Sequence, residues 1–192
     1  MKKLIGVSCF LLMGLSWQVG AFSEADLQKL KSSLKCPKCD LAGADLSGAK
    51  LAGANLTYAN LDKARFFRAE LAGANLSEAV LTGADLFNAD LTGVDLSGAN
   101  LIDAYMEDTN LQEASLAGVD LTKAYMEATE LTGANLTMAN LTSAFLEGID
   151  LENADLTDAV LTDARLNWAK NLDKAILCRT IMPNGSVNNS NC

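Results

Sequence analysis

One five-residue register runs unbroken from Cys39 to Trp168, and nothing else in the chain restricts the fold so tightly. A large apolar residue, position i, falls at Leu41, Leu46, Leu51 and every fifth residue thereafter to Leu166. It is leucine throughout except at Phe66, Met106 and Met126. Position i−2 is alanine except at Cys39, Val94, Thr109, Val119, Thr129 and Ile149. Position i−1 is mostly Asn, Asp or Glu.

A helix cannot use this spacing. Five residues carry a side chain about 140° round the axis, so the leucines would point to every side. A flat strand fails as well, because five is odd and successive leucines would face opposite ways. Within one pentad, i−2 and i do share a face if the segment is extended. The chain must therefore bend once per pentad, turning each Ala/Leu pair inward. Short extended pieces that keep bending make a coil, and stacked coils make a solenoid.

Variation within the repeat gives the length of one coil. Tyr105, Tyr125 and Phe145 recur at a spacing of 20 residues, as do Glu107, Glu127 and Glu147. Thr109 and Thr129 share that spacing, and Phe66, Met106 and Met126 lie at multiples of it. Four pentads then close one square coil, and each recurring residue forms a column up one face.

The A-(N/D)-L-x-x pattern resembles the pentapeptide-repeat family. That resemblance implies a β solenoid, a right-handed quadrilateral β-helix with i and i−2 filling its interior. Between Cys39 and Trp168 the register predicts about six and a half coils. Thr109, Thr129 and Ile149 depart mildly from the small i−2 residue. After Trp168 the register slips, with Asn171 where a leucine is due and Ala175/Leu177 one residue late. The solenoid is therefore expected to span 39–168. Buried leucines contribute roughly 1.5–3 kcal/mol each, and alanine at i−2 keeps a narrow interior from overfilling. Coils about 4.8 Å apart make a rod on the order of 30 Å tall, too tight inside for a ligand.

Solenoid ends expose strand edges and need covers. Segment 22–38 predicts an α-helical cap: Ser23 with Asp26 three residues later reads as a capping box, and Leu27, Leu30 and Leu34 share one helical face. Segment 169–192 contains Pro183-Asn184-Gly185, a turn signal, and is expected to fold back as a hairpin-like cap.

The N-terminus has Lys2 and Lys3 before an apolar run, Leu4 to Leu15, and then Val19-Gly20-Ala21. This is a signal-peptide pattern, predicting cleavage after Ala21 and a periplasmic or secreted bacterial protein. The run is short of the ~20 residues a membrane-spanning helix requires, so no span is expected in the mature chain. Four cysteines remain: Cys36, Cys39, Cys178 and Cys192. They admit three pairings. With rod ends roughly 30 Å apart and a disulfide needing Cα atoms within about 7 Å, the expected pairs are Cys36–Cys39 and Cys178–Cys192. The same distance excludes a four-cysteine zinc site. Cys36-Pro37-Lys38-Cys39 has redox-motif spacing, but it leads from a helix into the first pentad and Cys39 sits at an inward position, which favours a structural staple. The segments around "CPKC" and "MPNG" also resemble the caps of exported members of the family.

The formal charge is −9 and the chain has no histidine. Nucleic-acid binding needs a basic face, so it is not expected. The commonest general base and metal ligand is missing, and no enzyme, cofactor or metal is expected. Outward positions carry any function. Tyr105, Tyr125 and Phe145 at i−1, Phe67 and Phe87 at i+1, and Trp168 at the far end all fall on one face, with Glu107, Glu127 and Glu147 beside them. That face is a candidate site for a protein or glycan partner, or a stacking ladder with no ligand. The glutamates read as a solvated charge column; bridging by Ca²⁺ at millimolar levels is the alternative. A neighbouring face carries Glu70, Asp90, Glu130 and Asp150. The expected function is a non-enzymatic, exported interaction or structural module. The alternative is an acidic DNA mimic of the kind the resemblance associates with type II topoisomerases, which the export signal opposes.

Overall fold

The computed structural model describes residues 22–192, so the expected leader and its cleavage site lie outside the described residues. From Lys35 onward the chain forms parallel β-bridges between residues 20 positions apart, such as Asp40↔Asn60 and Tyr105↔Tyr125. Each pentad supplies one bridge, so each coil carries four ladders and has four sides. Arg65 shows the bonding: its N–H donates to the Ala44 carbonyl at 2.9 Å, and its carbonyl accepts from the Leu46 N–H at 2.8 Å.

The bend between pentads is a tight turn. The Ala44 N–H donates to the Leu41 carbonyl at 3.0 Å, and Gly43 between them has φ +70°. Positive φ at the third turn residue is the type II geometry. It recurs at every bend, including non-glycine positions such as Lys63 and Glu113. The preference for Asn and Asp at i−1 has a local cause: the Asn75 side-chain oxygen accepts from the Ser77 N–H at 3.0 Å, and Asp120 accepts likewise from Thr122 at 3.0 Å. Such side-chain turns satisfy an amide that no coil above or below reaches.

The i and i−2 side chains line the interior as the period requires. Leucines from Leu41 to Leu161 are buried with the alanines beside them, Ala49 only partly, and Phe66 is wholly enclosed. The two inward threonines at i−2, Thr109 and Thr129, satisfy their hydroxyls on the coil beneath. Thr109 donates to the Leu86 carbonyl and Thr129 to that of Met106, each at 2.8 Å.

Helix α1, Glu24–Ser33, closes the lower end and buries Leu27 and Leu30. Ser23 caps it by accepting from the Asp26 N–H, but Asp26 does not reach back to complete the box. The Asp26 carboxylate accepts from the Asp40 N–H at 2.9 Å, and the Ser23 N–H donates to the Asp40 carbonyl at 2.9 Å. Asp40 sits on the first coil and has no coil below it. The helix supplies the donor and acceptor that a lower coil would have provided.

At the upper end, pairing continues past the strict register. Asp150 bridges Lys170, then Asp155 bridges Ile176 and Val160 bridges Ile181, each now 21 residues apart. The extra residue is absorbed by Asn171, at φ 56°, and a single 3-10 turn at Leu172–Lys174. Ala175, Leu177 and Thr180 then resume inward positions, and Thr180 donates to the Leu156 carbonyl at 2.7 Å. The slip read as the end of the solenoid at 168 is a one-residue insertion within its last coil. Strands β1, Thr180–Ile181, and β2, Val187–Asn188, pair antiparallel around the Pro183–Gly185 turn. Cys36 and Cys39 come within disulfide-forming reach, with Cα atoms 5.3 Å apart, as do Cys178 and Cys192 at 4.7 Å. Among the described residues no helix is long and apolar enough to cross a membrane.

Candidate functional site: an aromatic and acidic groove

One side of the coil presents three outward columns. In the centre, Arg65, Asp85, Tyr105, Tyr125, Phe145 and Arg165 follow each other up a single bridge ladder. To one side run Phe67 and Phe87, then Glu107, Glu127 and Glu147. To the other side lie Lys63 and Gly83. Together they enclose an open groove of about 840 Å³.

The rings in it are ordered by the backbone. Tyr105 and Tyr125 are stacked with centroids 4.9 Å apart and planes 5° from parallel. Tyr125 and Phe145 are 4.5 Å apart at 6°. Phe67 and Phe87 stack at 5.8 Å beside the lower part of that column. These spacings follow the separation of coils, so the aromatic ladder is a direct print of the 20-residue period. Exposure falls going up, from 53% at Tyr105 to 39% at Tyr125, and Phe145 is only partly exposed. The Arg165 guanidinium covers the far face of Phe145, 4.6 Å from its centroid.

An aromatic side chain at i−1 cannot accept a hydrogen bond as Asn or Asp does. Phe87 keeps its amide bond to the Asp85 carboxylate at 3.2 Å, whereas Glu107, Glu127 and Glu147 follow aromatic residues and have no such acceptor. Buried Oε2 of Glu147 has no hydrogen-bond partner. The three glutamates form a column without gathering their oxygens around one point; among the described residues the only carboxylate and thiol group that converges is Asp26 with Cys36 and Cys39. The two sulfurs face each other, and both cysteines are buried, at 0% and 2% exposure.

Eight of the expected site residues therefore line one groove. Trp168 does not. It occupies the bend beyond that side at φ 56° and is 83% exposed. The sequence reading also missed three cations. Arg65 pairs with Asp45 at 3.2 Å and Lys63 with Asp62 at 3.5 Å, while Arg165 has no carboxylate within ion-pair distance among the described residues. Asp45 is held below its ordinary pKa, first by the Ser47 hydroxyl and amide and then by Arg65. Both arginines share the tyrosine column at multiples of 20 residues, a signal that was legible. Glu70, Asp90, Glu130 and Asp150 form their own bridge ladder, interrupted by Asn110, on another side.

A family model for pentapeptide repeats matches eight copies over residues 38–69, 64–102, 99–137 and 134–170. The chain belongs to the pentapeptide repeat family. Membership carries the right-handed β-helix of these solenoids and accounts for the four-sided coil described above. Among solved pentapeptide-repeat structures, a trypsin-treated variant of QnrB1, a plasmid-mediated fluoroquinolone resistance protein, is 24% identical with a TM-score of 0.49. The match covers 66% of this chain and 76% of that one. A pentapeptide repeat protein from the Arabidopsis thaliana thylakoid lumen is 30% identical over 65% of this chain and 70% of its own, with a TM-score of 0.27. HetL, involved in heterocyst differentiation regulation in a Nostoc cyanobacterium, is 28% identical over 80% and 91%, with a TM-score of 0.21. No curated protein matches the chain.

Proposed function

We propose that this pentapeptide-repeat protein is an exported, non-enzymatic interaction module that presents the groove along Tyr105, Tyr125 and Phe145 to a partner in the periplasm or outside the cell. The carrying observation is the stacked ladder: rigid, part-exposed rings bordered by carboxylates in a groove of about 840 Å³. A filled interior supports the same reading, since it leaves only outward positions for recognition. Rings fixed by the backbone lose little side-chain entropy on binding, which makes them good anchors. Export is supported by the leader at 1–21. In an oxidising compartment both cysteine pairs form disulfides, Cys36–Cys39 stapling the lower cap and Cys178–Cys192 the upper one.

The test is capture of partners from envelope extract by the mature protein and by its Tyr105→Ser/Tyr125→Ser variant. Loss of capture with an unchanged circular dichroism spectrum supports the reading; equal capture by both contradicts it. A reporter fused after residue 30 checks export. Cytoplasmic retention would instead favour the acidic DNA-mimic reading, for which the Glu70–Asp150 ladder is the supporting feature.

A further inference from the structure

We infer that the groove receives an arginine side chain of a partner polypeptide, its guanidinium seated against the open face of Tyr105. The inference rests on the groove being the interaction face proposed above, and it names the chemistry that face selects.

The aromatic ladder has two unlike ends. Above, the Arg165 guanidinium closes it against Phe145. Below, the coil under Tyr105 presents Asp85 in the same column and Gly83 next to it, so the side chains there are short. Tyr105 stacks upward on Tyr125 and meets neither ring nor cation on its lower side among the described residues. Phe87, stacked on Phe67, walls one flank of the resulting notch.

Charge selects the occupant. Asp85 uses one carboxylate oxygen for the Phe87 amide, and neither Asp85 nor Glu107 takes part in an ion pair among the described residues. The two cations that line the lower part of the groove are paired with other carboxylates, Arg65 with Asp45 and Lys63 with Asp62, and Arg68 lies over the Phe67 ring. Farther up, Glu127 and Glu147 add two carboxylates, one with a buried oxygen lacking a donor. The missing complement is cationic and planar. A guanidinium stacks on a tyrosine face and donates in a fork to carboxylates, whereas an ammonium is a compact, strongly hydrated point charge.

Two other occupants fit less well. Within the ladder the rings cover one another and present edges, leaving one free ring face, which is a poor platform for a chain of sugars. A second copy meets its own charge order. The centre column carries Arg65 and Arg165 at its ends and Asp85 as its one carboxylate, so two-fold pairing about its middle sets arginine on arginine and Asp85 against the Phe145 ring.

The experiment is a titration of the isotope-labelled protein with a blocked Gly-Arg-Gly-Arg-Gly peptide, followed by amide chemical shifts. Its lysine and citrulline twins are run in parallel. The arginine peptide is expected to move the amides of Phe87, Tyr105 and Glu107, with citrulline weaker by about fivefold or more. Asp85→Asn keeps the acceptor for the Phe87 amide and so preserves the turn; it and Glu107→Gln should each weaken binding about three- to fivefold. Asp90→Asn on another side should change nothing. Equal binding of arginine and citrulline, no effect of both carboxylate variants, or shifts spread evenly over the Glu70–Asp150 ladder would each overturn the inference. If the tyrosine variant abolishes partner capture but no arginine-specific shift appears, the interaction face stands and this inference alone falls.

Discussion

Leu116→Ala should be among the most damaging single changes in the solenoid, and its size follows from how the coil is held. Leu116 is fully enclosed, with Leu96 and Leu136 one coil below and above. Truncation removes three carbon centres, a transfer loss of about 2.4 kcal/mol at roughly 0.8 kcal/mol per methylene. The cavity then decides the rest. Bridges Asp95↔Ser115 and Ser115↔Asn135 fix the backbone immediately beside the site, and Ala114 is already minimal, so the walls cannot close in. An unrelaxed cavity adds roughly 1 kcal/mol, for a total of about 3.5 kcal/mol. With a urea m-value of about 2 kcal/mol/M, the unfolding midpoint read by circular dichroism falls by about 1.7 M. Leu166→Ala, on a partly exposed residue near the solenoid's end, should shift it by less than half as much. Equal shifts at both positions, or less than about 0.5 M for Leu116→Ala, would refute the claim that backbone pairing holds the interior open.

Three other perturbations follow from the same contacts. Thr129→Val removes the hydroxyl donor to the Met106 carbonyl, which still accepts from the Thr129 N–H at 3.2 Å; no acceptor is orphaned, and calorimetry should show a loss near 1 kcal/mol rather than 3. Asp150 is held below its ordinary pKa chiefly by the Asn171 amide, and Asp158 chiefly by Arg179. Both carboxylates therefore stabilise the upper cap above their unfolded pKa, near 3.8, and lose that contribution as pH falls through the lowered folded value. Amide protection factors over 172–192, corrected for the intrinsic exchange rate, should fall below about pH 4 in the native protein, and Asp150→Asn/Asp158→Asn should flatten that dependence. With the proposed Cys178–Cys192 disulfide formed, replacing both residues by serine opens a loop with a sequence separation of 14 and should lower stability by about 3 kcal/mol, measured by urea unfolding under non-reducing conditions.

The fold was legible because a narrow interior tolerates few side chains, so leucine and alanine repeat with little variation and expose the period. Columns were legible for the same reason, and Tyr105, Tyr125 and Phe145 lie above one another as their spacing requires. What the bend does to the backbone was readable but unread: glycine recurs two residues after the leucine, at Gly43, Gly73 and Gly133 among others, where φ is positive. The role of Asp26 was not legible, since its partner Asp40 lies on a coil whose missing neighbour only coordinates reveal. Asn171 looked like a break because strict register has no place for an extra residue, whereas a 3-10 turn absorbs one without loss of pairing. The place of Arg165 in the tyrosine column was legible from its spacing, but its reach onto Phe145 was not, because that depends on a long side chain crossing one coil spacing.

The most direct measurement is pairwise crosslinking on the folded protein. Cysteines replace Tyr105 and Tyr125 in one variant, and Tyr105 and Glu130 in another, each followed by a short thiol crosslinker and mass spectrometry. Parallel bridge partners one storey apart should join readily in the first variant, while the second pair sits on different sides of the rod and should stay unjoined. Efficient linkage in the second variant, or none in the first, would mean that the chain does not return to the same side after four pentads.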